Sequence, residues 1–89
     1  MQFARIDGVI SERSGDRVVV LDADGAALIT LSPVGTLVWE LLPASIDHAV
    51  DFLGEQFPDV PHSVLRSDVD AFLDELLANS LIKEIDAPG

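Results

Sequence analysis

The amino-acid sequence predicts an α+β fold, a three-stranded antiparallel sheet followed by three helices. Three observations carry the prediction. Apolar residues in the first third of the chain fall in short runs or alternate with polar ones, as strands require. Those runs are separated by Ser14-Gly15-Asp16 and Asp22-Ala23-Asp24-Gly25, which are turn sequences. From Ser32 onward the apolar spacing becomes helical.

The strands are expected over residues 3–12, 17–22 and 26–31. The Asp24-Gly25 step supplies the positive φ that a tight hairpin demands. Strands joined by such short turns are antiparallel neighbours, which puts the third at one edge of a meander. In the second strand Val19 and Leu21 share one face while Val18 and Val20 share the other; in the third, Ile29 and Leu31 oppose Leu28 and Thr30. Both faces are therefore partly apolar, more than a sheet with one solvated face needs, and a cover is expected on the second.

Ser32 caps the amides of the following turn, and Pro33 suits the first helical position, where its missing N–H is not needed. The first helix is expected over 33–42, with Val34, Leu37, Val38, Leu41 and Leu42 on one face, and Pro43 ends it. Trp39, beside Val38, reads as core. The second helix, capped by Ser45, is expected over 46–57, with the stripe Ile46, Val50, Leu53 and Phe57. The third is expected over 61–79. Its stripe is Leu65, Val69, Phe72, Leu73, Leu76 and Leu77, with Asp68, Asp70, Asp74 and Glu75 outside or flanking it. Residues 81–85 form a short extra strand or pack down. Helices gathered on one sheet face make the winged helix-turn-helix the nearest common shape.

Eighty-nine residues suit a single domain over 1–89, and 48% hydrophobic content excludes a disordered acidic tail despite a net charge of -11. The five cations are Arg5, Arg13, Arg17, Arg66 and Lys83. Residues 1–17 hold three of them against three anions, so residues 18–89 carry the whole -11. A phosphate backbone is repelled and no basic stripe exists to displace its counterions, which excludes nucleic acid as a partner. No apolar run approaches the ~20 residues that span a bilayer, and the opening residues lack the apolar stretch of a secretory signal. With no cysteine in the chain, the expectation is a soluble cytoplasmic protein with no membrane partner.

Nothing in the sequence makes a convincing catalytic or metal site, and no cofactor is expected. His48 and His62 lie in different helices without ligand spacing to a carboxylate. Asp22 and Asp24 lack the further carboxylates of a calcium loop and read as a turn. Asp70 and Asp74 align one turn apart while Asp68 and Glu75 lie on another side, so the acids read as a solvated surface. The chain is not expected to be an enzyme.

The order of features nevertheless has a familiar pattern: Val-Val-Val-Leu-Asp-Ala-Asp-Gly (18–25), then Leu31-Ser32-Pro33-Val34-Gly35, then Val38-Trp39-Glu40-Leu41-Leu42, then Asp68-Val69-Asp70-Ala71-Phe72-Leu73. It resembles the PqqD family of RiPP recognition elements, over roughly Gly8 to Ile85. Ser32 stands where the family usually has Asn, and both residues cap helices. Gly35 with Trp39 is similar to the stand-alone members of lasso-peptide clusters. The resemblance implies a non-catalytic protein that binds the leader of a ribosomal precursor peptide and delivers it to a modifying enzyme or leader protease; a PqqD-like chaperone of pyrroloquinoline-quinone biosynthesis and a winged-helix regulatory or structural subunit are the alternatives.

It also implies a groove between the third strand and the third helix, and so assigns peptide binding to Ala27, Leu28, Ile29 and Thr30 on the strand and to Leu65, Asp68, Val69 and Phe72 on the helix. The open strand edge offers main-chain hydrogen bonds to an added strand. Without a peptide, the same edge is a template for a homodimer.

Overall fold

The computed structural model describes residues 2–85. In chain order the elements are β1 (Gln2–Arg5), β2 (Ile10–Ser14), β3 (Arg17–Leu21), β4 (Leu28–Thr30), α1 (Pro33–Leu41), α2 (Ile46–Gln56), α3 (His62–Ala78) and β5 (Ile82–Ile85). Strands β2, β3 and β4 form the expected antiparallel meander, with Glu12 opposite Val19 and Val20 opposite Ile29.

The strand expected over 3–12 is instead two strands in two sheets. The chain turns at Asp7-Gly8, where Gly8 takes a φ of +90° that a side chain would disfavour. Upstream of it, β1 pairs antiparallel with β5, Gln2 opposite Ile85 and Arg5 opposite Ile82. Residues 82–85 are therefore a strand. On the other side of β1, Phe3 and Ala44 exchange two backbone hydrogen bonds, of 2.8 and 3.1 Å.

The third strand of the meander is also shorter than the expected 26–31. Asp22 accepts the Ala26 N–H on Oδ1 (2.7 Å) and the Gly25 N–H on its carbonyl (3.0 Å), drawing residues up to Ala27 into the turn. No carboxylate cluster forms there, so the loop is a turn held by its own aspartate.

Both Ser caps are made: Ser32 Oγ accepts from Gly35 N–H at 3.0 Å and Ser45 Oγ from His48 N–H at 3.1 Å. Thr36, one turn into α1 and fully buried, accepts the Val18 N–H at 2.9 Å and so ties that helix to β3. The core lies between the inner sheet face and the helices. Val18, Val20 and Leu31 supply it from the sheet side, Val38 and Trp39 from α1, Leu53 from α2, and Leu65, Val69, Leu73 and Leu76 from α3. Arg5 covers Trp39, its guanidinium 4.8 Å from the ring centroid and donating to the Trp39 carbonyl at 2.7 Å. The outer sheet face has no cover among the described residues: Ile10 is 62% and Leu28 70% exposed, with Val19 and Leu21 half-buried beside them. No helix among the described residues is long and apolar enough to cross a membrane.

Candidate functional site

Strand β4 has β3 on one side only. The Asp22 N–H donates to Ala27 C=O (3.1 Å) and the Leu31 N–H to Val18 C=O (2.8 Å), so Ala27 and Leu31 address β3. Hydrogen-bonding direction alternates along an antiparallel strand; Ile29, opposite Val20, therefore also addresses β3, while Leu28 and Thr30 turn their N–H and C=O groups outward. Among the described residues nothing bonds to those groups from the open side.

The sheet's other edge, β2, is open as well but differs in chemistry. By the same alternation the backbone groups of Ser11 and Arg13 point outward from an exposed Ile-Ser-Glu-Arg-Ser strand, and the Arg13 side chain pairs with Glu40 of α1. Charged side chains guard an edge against pairing. Leu28-Ile29-Thr30 carries no such guard.

Two adjoining pockets run along α3, the first between α1 and α3 and the second between β4 and α3. The first, about 280 Å³, has Val34, Val38 and Val69 as its apolar wall, with Gly35, Ser32 and Asp68 completing it. The second, about 150 Å³, lies against Ile29, Thr30 and Leu31 and is closed by Glu75 and Leu76. Phe72 and Ser32 belong to both, so the Phe72 ring stands between the two depressions.

Of the expected site residues, Ile29 and Thr30 line the second pocket, Asp68 and the buried Val69 line the first, on the α1 side, and Phe72 lines both. Ala27 sits half-buried in the turn before it, and Leu28 contributes its outward backbone while its side chain lies on the outer face. Leu65 is only 4% exposed, a core residue nearer the start of α3 that lines neither pocket. Sequence reasoning read Ser32 as a cap, Val34 and Val38 as the apolar face of α1, Gly35 only as part of the resemblance and Glu75 as solvated surface, and placed none of them at the groove. A Gly at the third position of a helix was the available signal, because it marks a close approach.

The acidic residues of α3 divide between two sides. Asp70 and Asp74 face a separate depression with Asp47, Arg66 and Glu84, in which Arg66 pairs with Asp47. Asp68 and Glu75 face the groove. No group of three or more potential metal-ligating side chains exists among the described residues.

An antiparallel meander with one unguarded edge, packed with three helices and lined by an apolar groove along α3, makes this chain a small α+β module. The chain belongs to the PqqD family: the family model described as Coenzyme PQQ synthesis protein D (PqqD) matches residues 17–82. Among solved structures it is similar to one described as TbiB1 in Complex with the TbiA(beta) Leader Peptide, with a TM-score of 0.84 and 24% identity, covering 94% of this chain and 99% of that one. No curated protein matches the sequence.

Proposed function

We propose that this chain binds the leader region of a ribosomally synthesised precursor peptide, as a strand added to β4, and delivers it to a modifying enzyme or leader protease without itself performing catalysis. The observation that carries the reading is the outward pair of backbone groups at Leu28 and Thr30, on an edge without charged guards and next to an apolar groove. An added strand satisfies those groups, and every second side chain of it points into the groove. Membership of the PqqD family and the fold shared with TbiB1, a protein solved with a leader peptide, support the same role.

A lasso-peptide precursor is the favoured source of the leader. The family's description favours a second source, a precursor of coenzyme PQQ; the two share one mechanism at this edge. Self-pairing of β4 between two copies is the competing use of the edge when no leader is present.

The test is titration with a fluorescent peptide, chosen by selecting a random 16-residue library on the immobilised protein. Thr30→Pro, which removes an outward N–H, weakens binding at least tenfold while circular dichroism stays unchanged. Asp74→Ala, on the other side of α3, leaves affinity as it was. Equal affinity of the folded Thr30→Pro variant and the parent rejects strand addition.

A further inference from the structure

Both pockets of the groove have the same unusual composition: an apolar floor and one carboxylate. In the first, between α1 and α3, Val34, Val38 and Val69 line the pocket with Asp68; in the second, beside β4, Ile29 and Leu76 line it with Glu75. Asp68 and Glu75 are seven residues apart on α3, two turns, so they fall on one face about 10 Å from each other. Phe72 stands between them and borders both pockets. Both acids are exposed, neither makes an ion pair among the described residues, and no cation lines either pocket. The Ser32 hydroxyl, shared by both, is already engaged by the Gly35 N–H.

A plain aliphatic side chain entering such a pocket covers the apolar floor and leaves the exposed carboxylate without a partner. A lysine or arginine does better. Its methylene stem covers the apolar floor while its head reaches the rim, and the face of Phe72 offers a second attraction for the cation.

We propose that Asp68 and Glu75 form a specificity-determining pair that selects leader peptides carrying two basic side chains on the groove-facing side of the added strand. The proposal rests on the strand-addition reading given above. Side chains on one strand face recur every second residue, at ~6.6 Å for two positions and ~13 Å for four. The flexible stems span the difference from the carboxylate spacing, so the two basic residues stand two or four positions apart.

The experiment selects a random 16-residue peptide library on four immobilised proteins: the parent, Asp68→Asn/Glu75→Gln, Asp70→Asn/Asp74→Asn and Leu28→Pro. The two double variants lose the same two charges, on opposite sides of α3, so they separate local recognition from bulk acidity. Peptides enriched by the parent are expected to carry paired Lys or Arg at the stated spacing. That pairing persists with Asp70→Asn/Asp74→Asn and disappears with Asp68→Asn/Glu75→Gln, which still enriches apolar strand-forming peptides. Replacing both basic residues of the best peptide by Gln weakens its binding to the parent about five- to tenfold and to Asp68→Asn/Glu75→Gln less than twofold. Strand-forming peptides without paired basic residues, or pairing that survives in Asp68→Asn/Glu75→Gln, overturns the proposal and leaves strand addition standing. Enrichment of the same peptides by Leu28→Pro overturns strand addition and the proposal with it. Should Leu28→Pro not fold, amide exchange of the parent with the best peptide bound takes its place: unprotected Leu28 and Thr30 amides are the overturning result, and protected ones retain strand addition.

Discussion

A Cβ placed on Gly35 would lie 2.7 Å from Cε1 of Phe72, so the ring of Phe72 packs directly on the backbone of α1. This contact joins the two helices that wall the groove and holds the ring between its two pockets. The absence of a side chain at Gly35 is thus a feature of the groove, although it sits in a helix where Gly is unfavourable.

Gly35→Ala separates stability from binding. The alanine improves helix propensity by about 1 kcal/mol, and displacement of the Phe72 ring costs a similar amount. The urea midpoint therefore changes little, while affinity for the library-selected peptide falls about tenfold as the ring moves into the groove. Chemical denaturation and titration of the same preparation check the two halves.

Thr36→Val tests the tie between α1 and the sheet. The substitution keeps the side chain's shape and leaves the buried Val18 N–H without the acceptor it has at 2.9 Å. A loss of about 1–3 kcal/mol is expected, with Thr36→Ser losing clearly less because its hydroxyl is retained. Urea unfolding of the three proteins measures it.

The fold was legible in the sequence wherever local rules decide structure. Ser32-Pro33 and Ser45 marked two helix starts, and the long stripe from Leu65 to Leu77 marked the third. The first strand was misjudged because Val9 and Ile10 continue the apolar character of Phe3 and Ile6, masking the turn that Gly8 makes. Its partner, residues 82–85, comes from the far end of the chain, and local spacing carries no information about a pairing of that kind. The groove was half legible. An edge strand and an apolar helix face follow from sequence, but Leu65 and Val69 share one stripe and both are buried, and only the packing of α1 beside α3 puts Val69 against the first pocket. Glu75 was assigned to solvent because periodicity reports which way a residue points, not what lies opposite.

Self-association is expected to depend on the same edge. Sedimentation at rising concentration is predicted to show a dimer that the selected peptide disperses and that Leu28→Pro does not form. A dimer unaffected by either would place the contact elsewhere, with the exposed Ile10 and Leu28 side chains of the outer face as its first candidates.

The central claim, strand addition at β4, is tested most directly by amide hydrogen exchange of the unmodified protein with and without saturating selected peptide. The Leu28 and Thr30 amides, which point outward from β4, are predicted to slow at least tenfold on binding, while the Ser11 and Arg13 amides at the β2 edge keep their free rates. Saturated protein in which Leu28 and Thr30 exchange as fast as in the free protein would contradict the account.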